Sequence, residues 1–179
     1  MTDPEIYLRR SLVSVARSWV GITELGGNNK GQMVERFQRA VDQKASGEPW
    51  CMAFVQFCMI ESRRLCEDIF AQSFNVSDKI FKTEHCLTAW NRTDKFQRIE
   101  KPIPGALIFW QKYRHDIGTT SGHVGIVSKI LDDDTVLTIE GNTNDGSGVV
   151  RDGDGVYELT RFYKMRQGSL RFVGFIDPW

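Results

Sequence analysis

Cys51 follows Gly47-Glu48-Pro49-Trp50 and opens the apolar run CMAFVQFCMI, which places a thiol at the expected first turn of a helix. Pro49 pre-sets the backbone angle of a helix start. That turn carries unsatisfied N–H groups and roughly half a positive charge, a field that lowers a thiol's pKa below its ordinary value of about 8.5. A thiolate is a nucleophile, and its full activation requires an imidazole within hydrogen-bond reach. Three histidines are available. His85 lies beside Cys86 in a segment of no clear periodicity, and His115 lies in the polar stretch KYRHDIGTTSG; both positions suit a surface. His123 opens the strand pattern GHVGIVSKI behind a glycine, where its ring can point into a cleft.

An imidazole that serves a thiol must itself be oriented. If LDDDT reverses the chain with a two-residue turn at Asp132 and Asp133, His123 falls opposite Asn142 on the next strand pattern, TVLTIEGN, and Glu140 becomes its diagonal neighbour on the same face. Sliding the turn by one position moves the register by two residues and leaves the partner near the end of that strand. A carboxylate or amide there can fix the tautomer whose other nitrogen faces the thiol. Each residue alone has a plainer reading: Cys51 as a small core residue, Glu140 as a solvated strand end. The combination of thiol, histidine, acid and amide, in that chain order, is what points to nucleophilic catalysis.

The elements that must position these groups come in two blocks. EIYLRRSLVSVARSWVG has apolar residues at helical spacing up to Gly21, MVERFQRAVDQ predicts a second helix, and WCMAFVQFCMIESRRLC predicts a third, apolar almost all round and therefore central. Residues 62–100 are mixed, with one short helix expected near HCLTAW. After Pro102 come GALIFWQKY, GHVGIVSKIL, TVLTIEG, GVYELTRFY and LRFVGFIDPW, short β-branched and aromatic runs punctuated by turn residues. Helices followed by strands predict an α+β fold, helical over about 1–100 and an antiparallel sheet over about 101–179, with residues 1–179 forming one domain.

The chain of 179 residues carries 23 Lys and Arg against 23 Asp and Glu, which argues against nucleic acid or an anionic membrane as partner. No stretch has the roughly 18 apolar residues of a membrane span, and MTDPEIYLRR does not read as an export signal, so synthesis as a soluble cytoplasmic species is expected. Cys51, Cys58, Cys66 and Cys86 form no CxxC pair or zinc spacing, and reduced thiols are expected. RDGDGVYE resembles a calcium loop, but Val156 breaks the ligand series; no metal or cofactor is expected.

The blocks EPWCMAFV, PIPGALIFW, GHVGIV and IEGNTN resemble the successive motifs of the CHAP amidase family, within the NlpC/P60 group of papain-like cysteine peptidases, and VARSWVGITELGGNNKG is similar to the N-terminal stretch of a CHAP subgroup of bacterial and phage cell-wall enzymes. The resemblance implies a papain-like fold and hydrolysis of a peptidoglycan amide, by an N-acetylmuramoyl-L-alanine amidase or a peptide endopeptidase, with Cys51 as nucleophile, His123 as base and acid, Glu140 as orienting group and Asn142 as a further polar member. Position 52, commonly Ala in the family, is Met here. Trp50 and Trp110 are expected either to line a substrate groove or to pack in the core, and Asn28 and Asn29 of GGNNKG either to form a cleft rim or merely a turn. Such an enzyme would reach the wall after lysis, on a phage tail or through a secretion machine, and an antibacterial effector would imply an immunity partner. Two other readings fit the same residues: a non-catalytic wall-binding or interaction module, and a thiol amidase of a small cytoplasmic amide.

Overall fold

The computed structural model describes residues 4–70, 75–145, 153–166 and 168–179. Among them run α1 (Pro4–Ser18), α2 (Gln32–Asp42), α3 (Cys51–Phe70) and α4 (Cys86–Arg92), then β1 (Arg98–Ile99), β2 (Leu107–Arg114), β3 (Ile117–Ile130), β4 (Thr135–Thr143), β5 (Gly155–Phe162) and β6 (Leu170–Ile176). Every strand pairing is antiparallel, in the order β1-β6-β2-β3-β4-β5. The fold is α+β, with the helices first, as the change of pattern after Pro102 predicts. No helix among the described residues is long and apolar enough to cross a membrane.

α3 is the hub. Its residues from Cys51 through Met59 are all buried, and it packs against α1, α2, β3 and β4. Leu8, Leu12, Phe37, Phe54 and Phe57 from the helices meet Leu107, Phe109, Val124, Ile126 and Ile139 from the strands in one apolar cluster. The alternate residues Ile108, Trp110, Val127 and Val136 join Tyr163 and Phe175 in a second cluster, so β2 through β4 bury both faces. The helix expected over residues 50–66 begins one residue later and runs on to Phe70, which moves Cys51 to its first position.

Two expectations about β3 need correction. His123 does not open the strand, which starts six residues earlier at Ile117. The polar stretch around His115 is a tight hairpin: His115 and Asp116 take left-handed backbone angles, φ 49° and 61°, the geometry that matches the twist of paired strands. Nor is the next reversal a two-residue turn at Asp132 and Asp133. The β3–β4 ladder closes at Ile130↔Val136, and an irregularity between Val127 and Lys129 then shifts it to Val127↔Thr138 and Ile126↔Ile139. The bulge offsets the longer turn, so Ile126↔Ile139 is the pairing that a two-residue turn at Asp132 and Asp133 would give.

Candidate active site

The peptide N–H of Phe54 donates to the Trp50 carbonyl at 2.8 Å, closing the first turn of α3 behind Cys51. Asn142 anchors this helix start to β4. Its Oδ1 accepts the Trp50 peptide N–H at 3.2 Å, and its Nδ2 donates to Asn29 Oδ1 at 3.2 Å and to the Gly153 carbonyl at 3.1 Å. Asn142 adopts φ 55°, a left-handed angle that asparagine tolerates better than most residues. Gly141 beside it has no room for a side chain, since a Cβ would lie 2.7 Å from Phe54. The residues after α1 run along β5, with bonds Gly21 N–H to Val156 O and Glu24 N–H to Asp154 O, and this brings the Glu24 carboxylate to Trp50 Nε1 at 2.9 Å and to the Asn29 N–H at 2.8 Å.

His123 pairs with Trp110 across the β2–β3 ladder and stacks on its ring, centroids 5.9 Å apart. Its Nε2 meets Glu140 Oε2 at 2.8 Å, which leaves the other ring nitrogen for the Cys51 sulfur, with which the ring interacts. Glu140 is wholly buried, yet its charge is fully matched. Arg161 Nε donates to Oε1 at 2.7 Å and Arg161 Nη2 reaches Oε2, while the Thr138 hydroxyl donates to Oε1 at 2.5 Å. Gly125 makes room for this carboxylate: a Cβ there would stand 2.7 Å from Glu140 Cγ.

The electrostatics follow from these contacts. Burial would push the Glu140 carboxyl up, but Arg161 and His123 outweigh it and hold the group well below the usual carboxylate range. Burial pulls His123 down, but the Cys51 sulfur and the Glu140 carboxylate outweigh it and raise its pKa to about 9. The Cys51 pKa is well below that of an ordinary thiol. The neighbouring Cys86 thiol does most to lower it, burial opposes, and His123 and the Met52 N–H add to the lowering. Both shifts favour a thiolate beside an imidazolium, an arrangement able to attack a carbonyl carbon.

Cys51, Cys86 and His123 line a cleft of about 590 Å³, together with Asn28, Glu84 and Lys112. Asn28 is exposed there, whereas Asn29, also at the cleft, is buried and spends its amide on Gly47 and Asn142. The groove reading of the two tryptophans is corrected. Trp50 is 0% exposed between Phe37 and Phe54, with its indole N–H on Glu24, and Trp110 is 1% exposed in the second cluster because β2 is covered on both faces. Asn142 bonds the helix start rather than the imidazole. His115 is exposed at its hairpin turn, and His85 is exposed beside the cleft.

Three participants escape the sequence reading. Arg161 looks like a solvated charge on an alternating strand, and only its place on the strand paired with β4 signals a role. Glu24 stands just ahead of GGNNKG, where the sequence draws attention to Asn28 and Asn29 instead. Cys86, whose Sγ lies 3.4 Å from Cys51 Sγ, comes from the segment without periodicity, and no local signal marks it. All four cysteines are free and buried. Of the acidic stretch Arg151–Glu158, the first two residues lie outside the described residues; no group of three or more His, Cys, Asp or Glu among the described residues is arranged to hold a metal ion.

Comparison with protein-family models matches residues 43–142 to the CHAP domain, from the approach to α3 through Asn142. Neither the curated proteins nor the solved structures include a match to the chain.

Proposed function

The chain belongs to the CHAP domain family, in general a family of peptidoglycan amidases and peptidases, and from that premise we propose that it cleaves a peptidoglycan amide with Cys51 as its nucleophile. The observation that carries this reading is the interaction of the Cys51 sulfur with His123, whose ring is hydrogen-bonded to Glu140 and through it to Arg161, with the sulfur at the cleft. The Cys51 thiolate attacks the amide carbonyl carbon, and the negative charge that develops on oxygen faces the peptide N–H groups at the start of α3. The His123 imidazolium passes its proton to the departing nitrogen, the C–N bond breaks, and a thioester remains on Cys51. His123, now neutral, takes a proton from water as it adds to the thioester; the acid is released and the thiolate–imidazolium pair is restored. Glu140 holds the ring in place throughout and favours its charged form.

The cleft offers the carboxylates of Glu48 and Glu84 together with the ammonium of Lys112, a mixed lining suited to a peptide that bears both free amine and carboxylate groups. In this reading the protein acts on the wall after delivery by lysis, by a phage tail or by a secretion machine, and a bacterium that deploys it would need an immunity partner. Purified sacculi incubated with wild type and with Cys51→Ala provide the test. Soluble fragments from wild type alone support cleavage; equal release, or none from either, leaves a wall-binding module or an amidase of small amides. Mass spectrometry of the products separates the two bonds, since an amidase frees muramic lactyl groups and an endopeptidase creates new peptide ends.

A further inference from the structure

Cys86 neither attacks the substrate nor carries a proton in the hydrolytic cycle, yet its sulfur is 3.4 Å from the nucleophile, and both thiols line the same cleft. Each is the first residue of its helix, Cys51 of α3 and Cys86 of α4, so two distant segments deliver their thiols to one point. Both keep a small opening to solvent, 6% and 5%, whereas Cys58 is sealed. The two sulfurs also differ in character. The Cys51 pKa is lowered, while the hydrogen bond to Cys51, then burial and the Cys51 charge, push the Cys86 thiol well above its ordinary value.

We propose that Cys86 is a resolving thiol and that the pair forms a reversible redox lock: exposed to a hydroperoxide, Cys51 and Cys86 join in a disulfide that silences the nucleophile until a dithiol reopens it. The chemistry takes two steps. The Cys51 thiolate attacks the peroxide; an S–O bond forms, the O–O bond breaks, and the alkoxide or hydroxide leaves, giving a sulfenic acid. The Cys86 sulfur then attacks Cys51; the S–S bond forms, the S–O bond breaks, and the oxygen departs as water with the Cys86 proton. Two thiols lose two electrons and the peroxide gains them. Without a resolving neighbour, the sulfenic acid is open to further peroxide and passes to sulfinic and sulfonic acids that a dithiol does not reduce.

The test uses the full chain and reads mass rather than hydrolysis, so it stands whether or not sacculi are cleaved. After hydrogen peroxide treatment and alkylation of the remaining thiols, wild type should lose two hydrogens, yield a non-reduced Cys51–Cys86 peptide pair, and regain both thiols in dithiothreitol. Cys86→Ser should gain oxygen at Cys51 instead, and dithiothreitol should not return the thiol. Where sacculus release is measurable, each protein is scored against its own untreated rate: wild type recovers, the variant does not. Wild type that gains oxygen at Cys51 with Cys86 still open to alkylation overturns the proposal. So does a Cys51 that peroxide leaves untouched, or that pairs with Cys58 or Cys66.

Discussion

His123 and Glu140 meet at 2.8 Å on adjacent strands, and the carboxylate is wholly buried with Arg161 fixed to both its oxygens. A buried charge placed this way does two things to the imidazole. It sets the ring's orientation, and it makes the charged form the stable one well beyond the ordinary histidine range.

Glu140→Gln keeps the size of the side chain but removes the charge. Turnover of a wall substrate should fall about 10²-fold or more, the scale of a positioned acid–base group, with a smaller change in KM. The alkaline limit of activity should move to lower pH at the same time, because His123 loses the partner that raises its pKa. A side chain that served only packing would lower the rate without moving that limit.

Activity should follow a bell in pH. Cys51 is depressed well below an ordinary thiol, so the thiolate persists as pH falls, and the acid limb lies well under about 8.5. His123 is raised to about 9, so the proton for the leaving nitrogen is present below that value and lost as pH rises through it. The limbs belong to the coupled pair, not to either residue alone. Alkylation of Cys51 across pH checks the acid side, and a midpoint at the ordinary thiol value would count against the ion pair.

What the sequence makes legible here is what is local or periodic. Pro49 and the apolar run after it locate Cys51 at a helix start, and short β-branched runs punctuated by turn residues mark the strands that carry His123 and Glu140. Their register survives for a reason the sequence does not show: the bulge between Val127 and Lys129 compensates a turn longer than Asp132–Asp133. Contacts between segments of different type stay hidden. Cys86 reaches Cys51 only because α4 packs on β2 and β3, and Arg161 reaches Glu140 only because β5 is the neighbour of β4. The tryptophans leave groove and core open in the same way, until Trp50 is seen inside the first apolar cluster and Trp110 under the second, which covers the far face of β2.

Arg161→Met removes the main partner of a carboxylate that has no solvent to turn to. Breaking a buried pair from one side costs about 3–5 kcal/mol, and the lower end is expected here because Thr138 and His123 still hydrogen-bond Glu140. The sign with pH is fixed. Glu140 is depressed in the folded protein, so its contribution is complete above the unfolded value of about 4.3 and drains as pH falls below it. Denaturant unfolding at pH 7 and pH 4 should therefore show a smaller acid loss in the variant than in wild type.

Asn142 combines a left-handed backbone with a side chain that ties β4 to the start of α3. Asn142→Gly keeps the backbone angle and loses only the side chain, which should cost about 1–3 kcal/mol through the unpaired polar groups left behind. Asn142→Ala should cost about 1 kcal/mol more, the added strain of a Cβ at φ 55°. Equal stability of the two variants would show that the backbone angle carries no strain at this site.

Gly125→Ala tests the orienting contact without replacing any reacting or charged group. The new methyl would stand 2.7 Å from Glu140 Cγ, closer than real Cβ atoms approach, so the carboxylate has to move. Displacing an orienting group by about 1 Å can cost about 10²-fold in rate, while overpacking one methyl costs about 1–3 kcal/mol in stability. The variant should therefore remain folded by circular dichroism and lose most of its turnover. Both Gly125→Ala and Glu140→Gln act through the same His123–Glu140 contact, so their effects should not add: the double variant should be scarcely slower than Glu140→Gln alone. Fully multiplicative losses would place the effect of Gly125 elsewhere in the sheet.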